Sequence, residues 1–170
     1  MRHLSEAFIG IDTSKLRNAV AIAEGGRDGE VRYLGEIDST EAATRKLVAK
    51  LAAKYGRLTF CYEAGPTGYG LYRLIRSLSH DCLVAAPSLN PKKRGERVKT
   101  NRRDGLSLAR LLRAGELTAV WVPDERHEAM RDLSRAHWLR IRISGASASF
   151  ISMMLRLGKI YPGKKTWGPT

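Results

Sequence analysis

The stretch "AFIGIDTSKLRNAVAIAEGGRDGEVRYLGEI", residues 7–37, decides how the rest of the chain is read. It holds three short apolar runs. The first, "AFIGIDTSK", ends its apolar part at Asp12; "NAVAIAE" follows at once and "VRYLGEI" comes third. Each is too short for a helix and suits a strand. The Gly- and Asp-dense segment "EGGRDGE", residues 24–30, predicts a hairpin turn. Three strands joined this closely predict an antiparallel meander.

Beyond residue 38 the apolar period changes. In "STEAATRKLVAKLAAKYG", Ser39 or Thr40 can cap a helix, Leu47, Val48 and Leu51 form its stripe, and Gly56 ends it. "RLTFCYEAG" predicts a buried strand. "TGYGLYRLIRSLSH" predicts a helix with Leu71, Leu74, Ile75 and Leu78 inward, and "DCLVAAPS" predicts another strand. Pro87 and Pro91 break regular structure ahead of a basic loop, and "NRRDGLSLARLLRAG" reads as a third helix. The order is β-β-β-α-β-α-β-α, an α/β class with a mixed sheet and helices on its faces. Residues 1–123 form that unit. Residues 124–170 read as a weaker helical extension, interrupted by "SGASAS", and a basic tail.

The chain has 170 residues and a formal net charge of +13. The charge is lopsided: residues 1–90 carry 12 basic and 10 acidic side chains, residues 91–170 carry 18 and 7. The first part is an ordinary globular core, and the second carries the signature of a polyanion partner. No run of about 18 apolar residues is present to span a membrane, and the N-terminus lacks a signal-peptide core. Cys61 and Cys82 sit in apolar runs, as core residues of a reducing compartment do, and His3, His80, His127 and His137 show no ligand spacing.

Lys92, Lys93, Arg94, Arg97, Lys99, Arg102 and Arg103 make a basic run that ends at Asp104. On a helical wheel with Arg102 at zero, Arg113, Arg110 and Arg103 fall within about 100°, while Asp104, Asn101, Leu108 and Leu112 fall between about 200° and 280°. The helix thus has an arginine face, suited to phosphates, and an apolar face that carries Asp104 and Asn101. An inward carboxylate is costly unless a charge meets it. One reading is a capping box with Asn101 as N-cap and Asp104 three residues on. The other takes in Asp12 and Glu63, each at the end of a predicted strand. Ligands of mixed α/β sheets bind at strand ends. Three carboxylates converging there need a cation, and hard oxygen ligands suit Mg²⁺ or Mn²⁺.

The element order and the acids on the first strand, the fourth strand and the third helix resemble the ribonuclease H-like fold. More narrowly, "GIDTSK" (10–15), "YEAGPTG" (62–68), "KTNRRDGLSLARLL" (99–112), "GELTAVWVP" (115–123) and "GKIYPGKKTW" (158–167) resemble the RuvC-like N-terminal domain of DEDD-type insertion-sequence transposases. The resemblance implies a DNA recombinase of a bacterial insertion element, working in the cytoplasm on nucleoid DNA. It implies catalytic acids at Asp12, Glu63 and Asp104 that bind divalent metal. The remaining family acid falls on Asn101, which offers a carbonyl oxygen and no charge. The resemblance also implies DNA as partner, an element-encoded structured RNA in some members, homo-oligomers at full length, and a C-terminal transposase domain with a nucleophilic serine beyond this chain. Competing expectations are a stand-alone metal-dependent nuclease, a non-catalytic nucleic-acid-binding remnant, and an actin-like phosphotransferase suggested by "GIDTSK" alone.

Overall fold

The computed structural model describes residues 5–26, 28–91 and 100–141, without the side chains of 139–141. Five strands form one sheet: β1 (Glu6–Asp12), β2 (Arg17–Glu24), β3 (Val31–Asp38), β4 (Arg57–Glu63) and β5 (Asp81–Ala85). Their order across the sheet is β3-β2-β1-β4-β5. β1, β2 and β3 pair antiparallel, whereas β1, β4 and β5 run parallel. The mixed sheet and the order of elements are those expected of a ribonuclease H-like domain, and β1 is its central strand.

Helices α1 (Glu41–Ala52) and α2 (Gly70–Ser77) cover one face. Ile9, Ile11, Val20, Ile22, Phe60, Tyr62 and Val84 point to that side and pack on Leu47, Val48, Leu51 and Ile75. Thr40 caps α1, its hydroxyl accepting from the Ala43 amide at 3.2 Å. Of the apolar stripe expected on α2, only Ile75 is fully buried. Tyr69 and Tyr72 pack against this core, and the Arg131 guanidinium lies 5.9 Å from the Tyr69 ring centre.

Helix α3 (Asn101–Ala114) covers the other face. It meets Phe8, Ala21, Ala23, Cys61 and Leu83, a surface of mostly small side chains. Gly10 makes the contact possible. A Cβ there would stand 2.4 Å from the Gly105 carbonyl oxygen and 2.5 Å from the Ala109 nitrogen. The helix backbone therefore rests directly on the strand backbone, which only glycine permits. The cysteines are free; burial pushes the Cys61 thiol well above its usual range and the Cys82 thiol up to about 12.

A bulge in β3 shifts the pattern of its side chains. Tyr33 pairs with Ala21, but Gly35 pairs with Val20, so Leu34 is the extra residue. Gly35 has φ +107°, a backbone conformation that side chains oppose. Because of the shift, Glu36 pairs with Ala19 on the α3 face and Ile37 returns to the core on the opposite face. The run "VRYLGEI" reads as one uninterrupted strand and gives no sign of this slip.

Helix α4 (Glu125–Ile141) attaches at its first turns. Arg73 Nη2 donates to Glu128 Oε2 at 2.7 Å and to the Pro123 carbonyl at 3.1 Å. The Glu128 side chain is only 11% exposed. Removing Arg73 takes one cation from a carboxylate that water barely reaches. Arg73→Ala should cost about 1–3 kcal/mol after allowing for the partial exposure of Arg73. Hydrogen exchange should show α4 losing protection well before β1. Equal loss in both would mean that this pair does not anchor the helix. The expected helical pattern beyond Ile141 and the basic tail to residue 170 lie outside the described residues.

Candidate functional site

The parallel pairing of β1 and β4 ends at Ile11 opposite Tyr62, and both of these side chains enter the α1/α2 core. Side chains alternate along a strand, so the next residues, Asp12 and Glu63, belong to the α3 face. They end neighbouring strands at one edge of the sheet, and both are half-buried. The row continues, since Asp12 pairs with Ala19 and Ala19 pairs with Glu36. Three carboxylates therefore share one cross-strand row, with the small Ala19 between two of them. Glu36 was not among the expected acids. It is exposed and ion-paired with Arg17 at 3.6 Å.

Helix α3 brings the next acid over this row. Its Gly105 lies against Gly10 and Ala19, while Arg113 near its far end donates to the Glu24 and Gly29 carbonyls of the β2–β3 hairpin. The helix thus runs antiparallel to β1, with its first turn at the acidic edge. Asp104 precedes Gly105 and is half-buried there. The positive end of the helix dipole points to the same edge and favours negative charge. Among the described residues, no three His, Cys, Asp or Glu side chains stand close enough together to hold a metal. The structure places Asp12, Glu63 and Asp104 at one edge and on one face, without gathering them into a closed cage.

Asn101 does not cap the helix. Thr100 takes that role, its hydroxyl accepting from the Arg103 amide at 3.3 Å. Asn101 is the first helical residue and is exposed. A helical wheel gives an angle about the axis, not an exposure.

A polar residue missing from the expected set touches Glu63. Asn90 lies in the turn after β5, and its Nδ2 donates to Glu63 Oε1 at 2.9 Å. Its Oδ1 is buried and, among the described residues, accepts no hydrogen bond. The sequence signal was slight: an Asn ahead of Pro91, following a third parallel strand. The loops after β1 and β4 also meet here, with Thr67 Oγ1 donating to Thr13 Oγ1 at 3.4 Å.

The basic residues divide into three groups. Lys92, Lys93, Arg94, Arg97 and Lys99 lie outside the described residues. Arg102, Arg103 and Arg110 are exposed on α3, and the Arg102 guanidinium stands 5.5 Å from the Tyr33 ring centre. Arg113 is half-buried and committed to the hairpin. Burial raises the Tyr33 phenol; Glu36 and Asp12 add to the rise, while Arg102 opposes it. No described helix is long and apolar enough to cross a membrane.

A family model for DEDD transposases of the IS110 type, described as "Transposase", matches residues 9–142. Over 163 residues the chain is 61% identical to "Putative transposase y4qE" of Sinorhizobium fredii, covering 95% of this chain and 42% of that protein. It is 31% identical over 165 residues to "Transposase for insertion sequence element IS1533" of Leptospira borgpetersenii, covering 95% of this chain and 47% of that protein. The chain therefore spans less than half the length of these relatives.

Proposed function

The chain belongs to the DEDD transposase family of the IS110 type, and from that footing we propose that residues 1–123 form a metal-dependent DNA-strand-cleaving domain, with 124–170 as its helical extension. The observation that carries this is the placement of Asp12 and Glu63 at adjacent parallel strand ends, beneath the helix turn that bears Asp104. The buried Oδ1 of Asn90 beside Glu63, which has no partner among the described residues, supports it, since such an atom calls for a donor or a cation. Asp12, Glu63 and Asp104 would hold Mg²⁺ or Mn²⁺, with the Asn101 carbonyl as a neutral neighbour. A divalent ion in such a site activates a water or hydroxyl and neutralises charge at a scissile phosphate. The chain's own residues bind and orient. The basic run from Lys92 to Lys99, with Arg102, Arg103 and Arg110, would hold the phosphate backbone against the acidic edge. Arg113 contributes less, because its guanidinium is occupied by the hairpin carbonyls.

DNA is the substrate of this reading, met on the nucleoid in the bacterial cytoplasm. A structured RNA from the element would be a second polyanion for the same basic surface. Strand transfer and assembly into homo-oligomers would call for a chain of the relatives' length. The neutral Asn101 favours one alternative, a domain that binds nucleic acid without cutting it. Nicking of supercoiled plasmid across an Mg²⁺ titration separates the two. Metal-dependent nicks support the cleaving domain, and binding with no cleavage at any length of chain supports the alternative.

The phosphate contacts make a second expectation. Affinity for duplex DNA should fall with salt at a log–log slope of about −0.9 per neutralised phosphate. Replacing Arg102 and Arg103 together by Ala should weaken unrelated sequences alike and flatten the slope by up to about 2 units. A flat salt response in the parent would overturn the nucleic-acid reading.

A further inference from the structure

We infer that Asn90 is a further member of the metal site: its amide N–H group holds Glu63 in place, and its Oδ1 is a neutral ligand for the bound divalent cation, directly or through a cation-held water. The inference rests on the metal reading above and adds to it a residue outside the family's four acids. Three observations carry it. Asn90 Nδ2 donates to Glu63 Oε1 at 2.9 Å, which fixes one oxygen of that carboxylate and leaves the other for a different partner. The Asn90 Oδ1 is buried and, among the described residues, has no donor, and no other side-chain oxygen or nitrogen described is left in that condition. Leaving such a group without a partner is costly, so folded chains rarely tolerate it. The amide is planar, so Oδ1 lies next to the same carboxylate that its nitrogen grips.

The backbone around Asn90 fixes it there. The Ala64 amide donates to Ala85 at 2.9 Å, the Ala86 amide to Thr118 at 2.9 Å and the Leu89 amide to Ala86 at 3.1 Å. The turn from β5 is thereby folded back over the end of β4. Hard cations accept amide carbonyls beside carboxylates. A neutral oxygen also adds a ligand at an edge that already carries Asp12, Glu63, Asp104 and Glu36, without adding to their mutual repulsion. Its place just before the basic run further ties the root of the phosphate-binding segment to a metal ligand.

Calorimetric titration of the 170-residue chain with MnCl₂ provides the test. Asn90→Leu keeps the bulk and removes both polar groups. It should weaken Mn²⁺ binding by about tenfold or more, the usual cost of losing a group that supports a metal ligand. Asn90→Asp keeps an oxygen but sets an acceptor against Glu63 Oε1. It should melt lower than the parent without metal, recover with Mn²⁺, and bind Mn²⁺ at least as tightly as the parent. Glu63→Gln is the control. If Glu63→Gln weakens binding and Asn90→Leu stays within twofold of the parent, Asn90 is not part of the site. If Asn90→Leu fails to fold, Asn90→Asp decides: weaker Mn²⁺ binding than the parent overturns the inference. If the parent binds no Mn²⁺, or Glu63→Gln is indifferent, the metal reading itself falls and this inference with it.

Discussion

Gly10→Val is expected to abolish the packing of α3 on the sheet, and Gly10→Ala to cost about 3 kcal/mol or more. A Cβ at this position meets the Gly105 oxygen at 2.4 Å, the Ala109 nitrogen at 2.5 Å and the Leu108 Cβ at 2.9 Å. Two of these three are backbone atoms of the helix, so no rotamer change relieves them. Overfilling a packed core costs about 1–3 kcal/mol when side chains can adjust, and more when they cannot. Gly105→Ala faces the same contact from the helix side but should have the opposite sign. Its Cβ would come no closer than 3.4 Å, to the Ala19 oxygen. Glycine within a helix costs roughly 0.5–1 kcal/mol relative to alanine, so Gly105→Ala should be neutral or stabilising. Urea melts of the three variants check this. A Gly10→Ala protein as stable as the parent would mean that α3 does not lie backbone-to-backbone on β1.

Asp12→Asn should lower Mg²⁺-dependent strand cleavage by at least about a hundredfold, in whatever length of chain the cleavage is measured. Asp12 ends the central strand, between Glu63 on one side and the Ala19–Glu36 row on the other. No other described carboxylate has that position. Loss of its charge should weaken the cation and leave the fold standing, since the residue is half-buried at a strand end. Binding of DNA without Mg²⁺ should respond in the other direction. With one negative charge fewer facing the phosphates, it should become tighter. Plasmid nicking and filter binding on the same preparation measure both. Cleavage that survives the substitution would remove Asp12 from the reaction.

The strands were legible because burial on both sides leaves long apolar runs, as in "AFIGID" and "RLTFCYE", and their ends announced Asp12 and Glu63. The third helix was legible in outline, but its contact surface was not. Leu108 and Leu112 stand out on a wheel, whereas Gly105 and Ala109 look neutral, yet these small residues set how closely α3 approaches β1. A wheel places Asn101 on the inward face because it has no length, yet as the first residue of the helix Asn101 is exposed. The wheel groups Arg113 with the phosphate-facing arginines, and only the hairpin's position shows where its guanidinium goes. Asn90 and Glu36 escaped because each depends on a tertiary event, a folded-back turn in one case and a bulge in the other. Neither event leaves a periodic trace in the sequence.

The placement of β1 has a consequence for how the chain emerges from the ribosome. This strand is made before its neighbours β4 and α3, which begin at Arg57 and Asn101. Contacts between segments so far apart along the chain form slowly. Until residues up to Leu112 have been released, the face around Gly10 has no cover, and Phe8 and Cys61 stay open to solvent or to a chaperone. A product cut short before α3 would lack both its lid and Asp104. Such a fragment would be a substrate for proteolysis well before it could damage DNA.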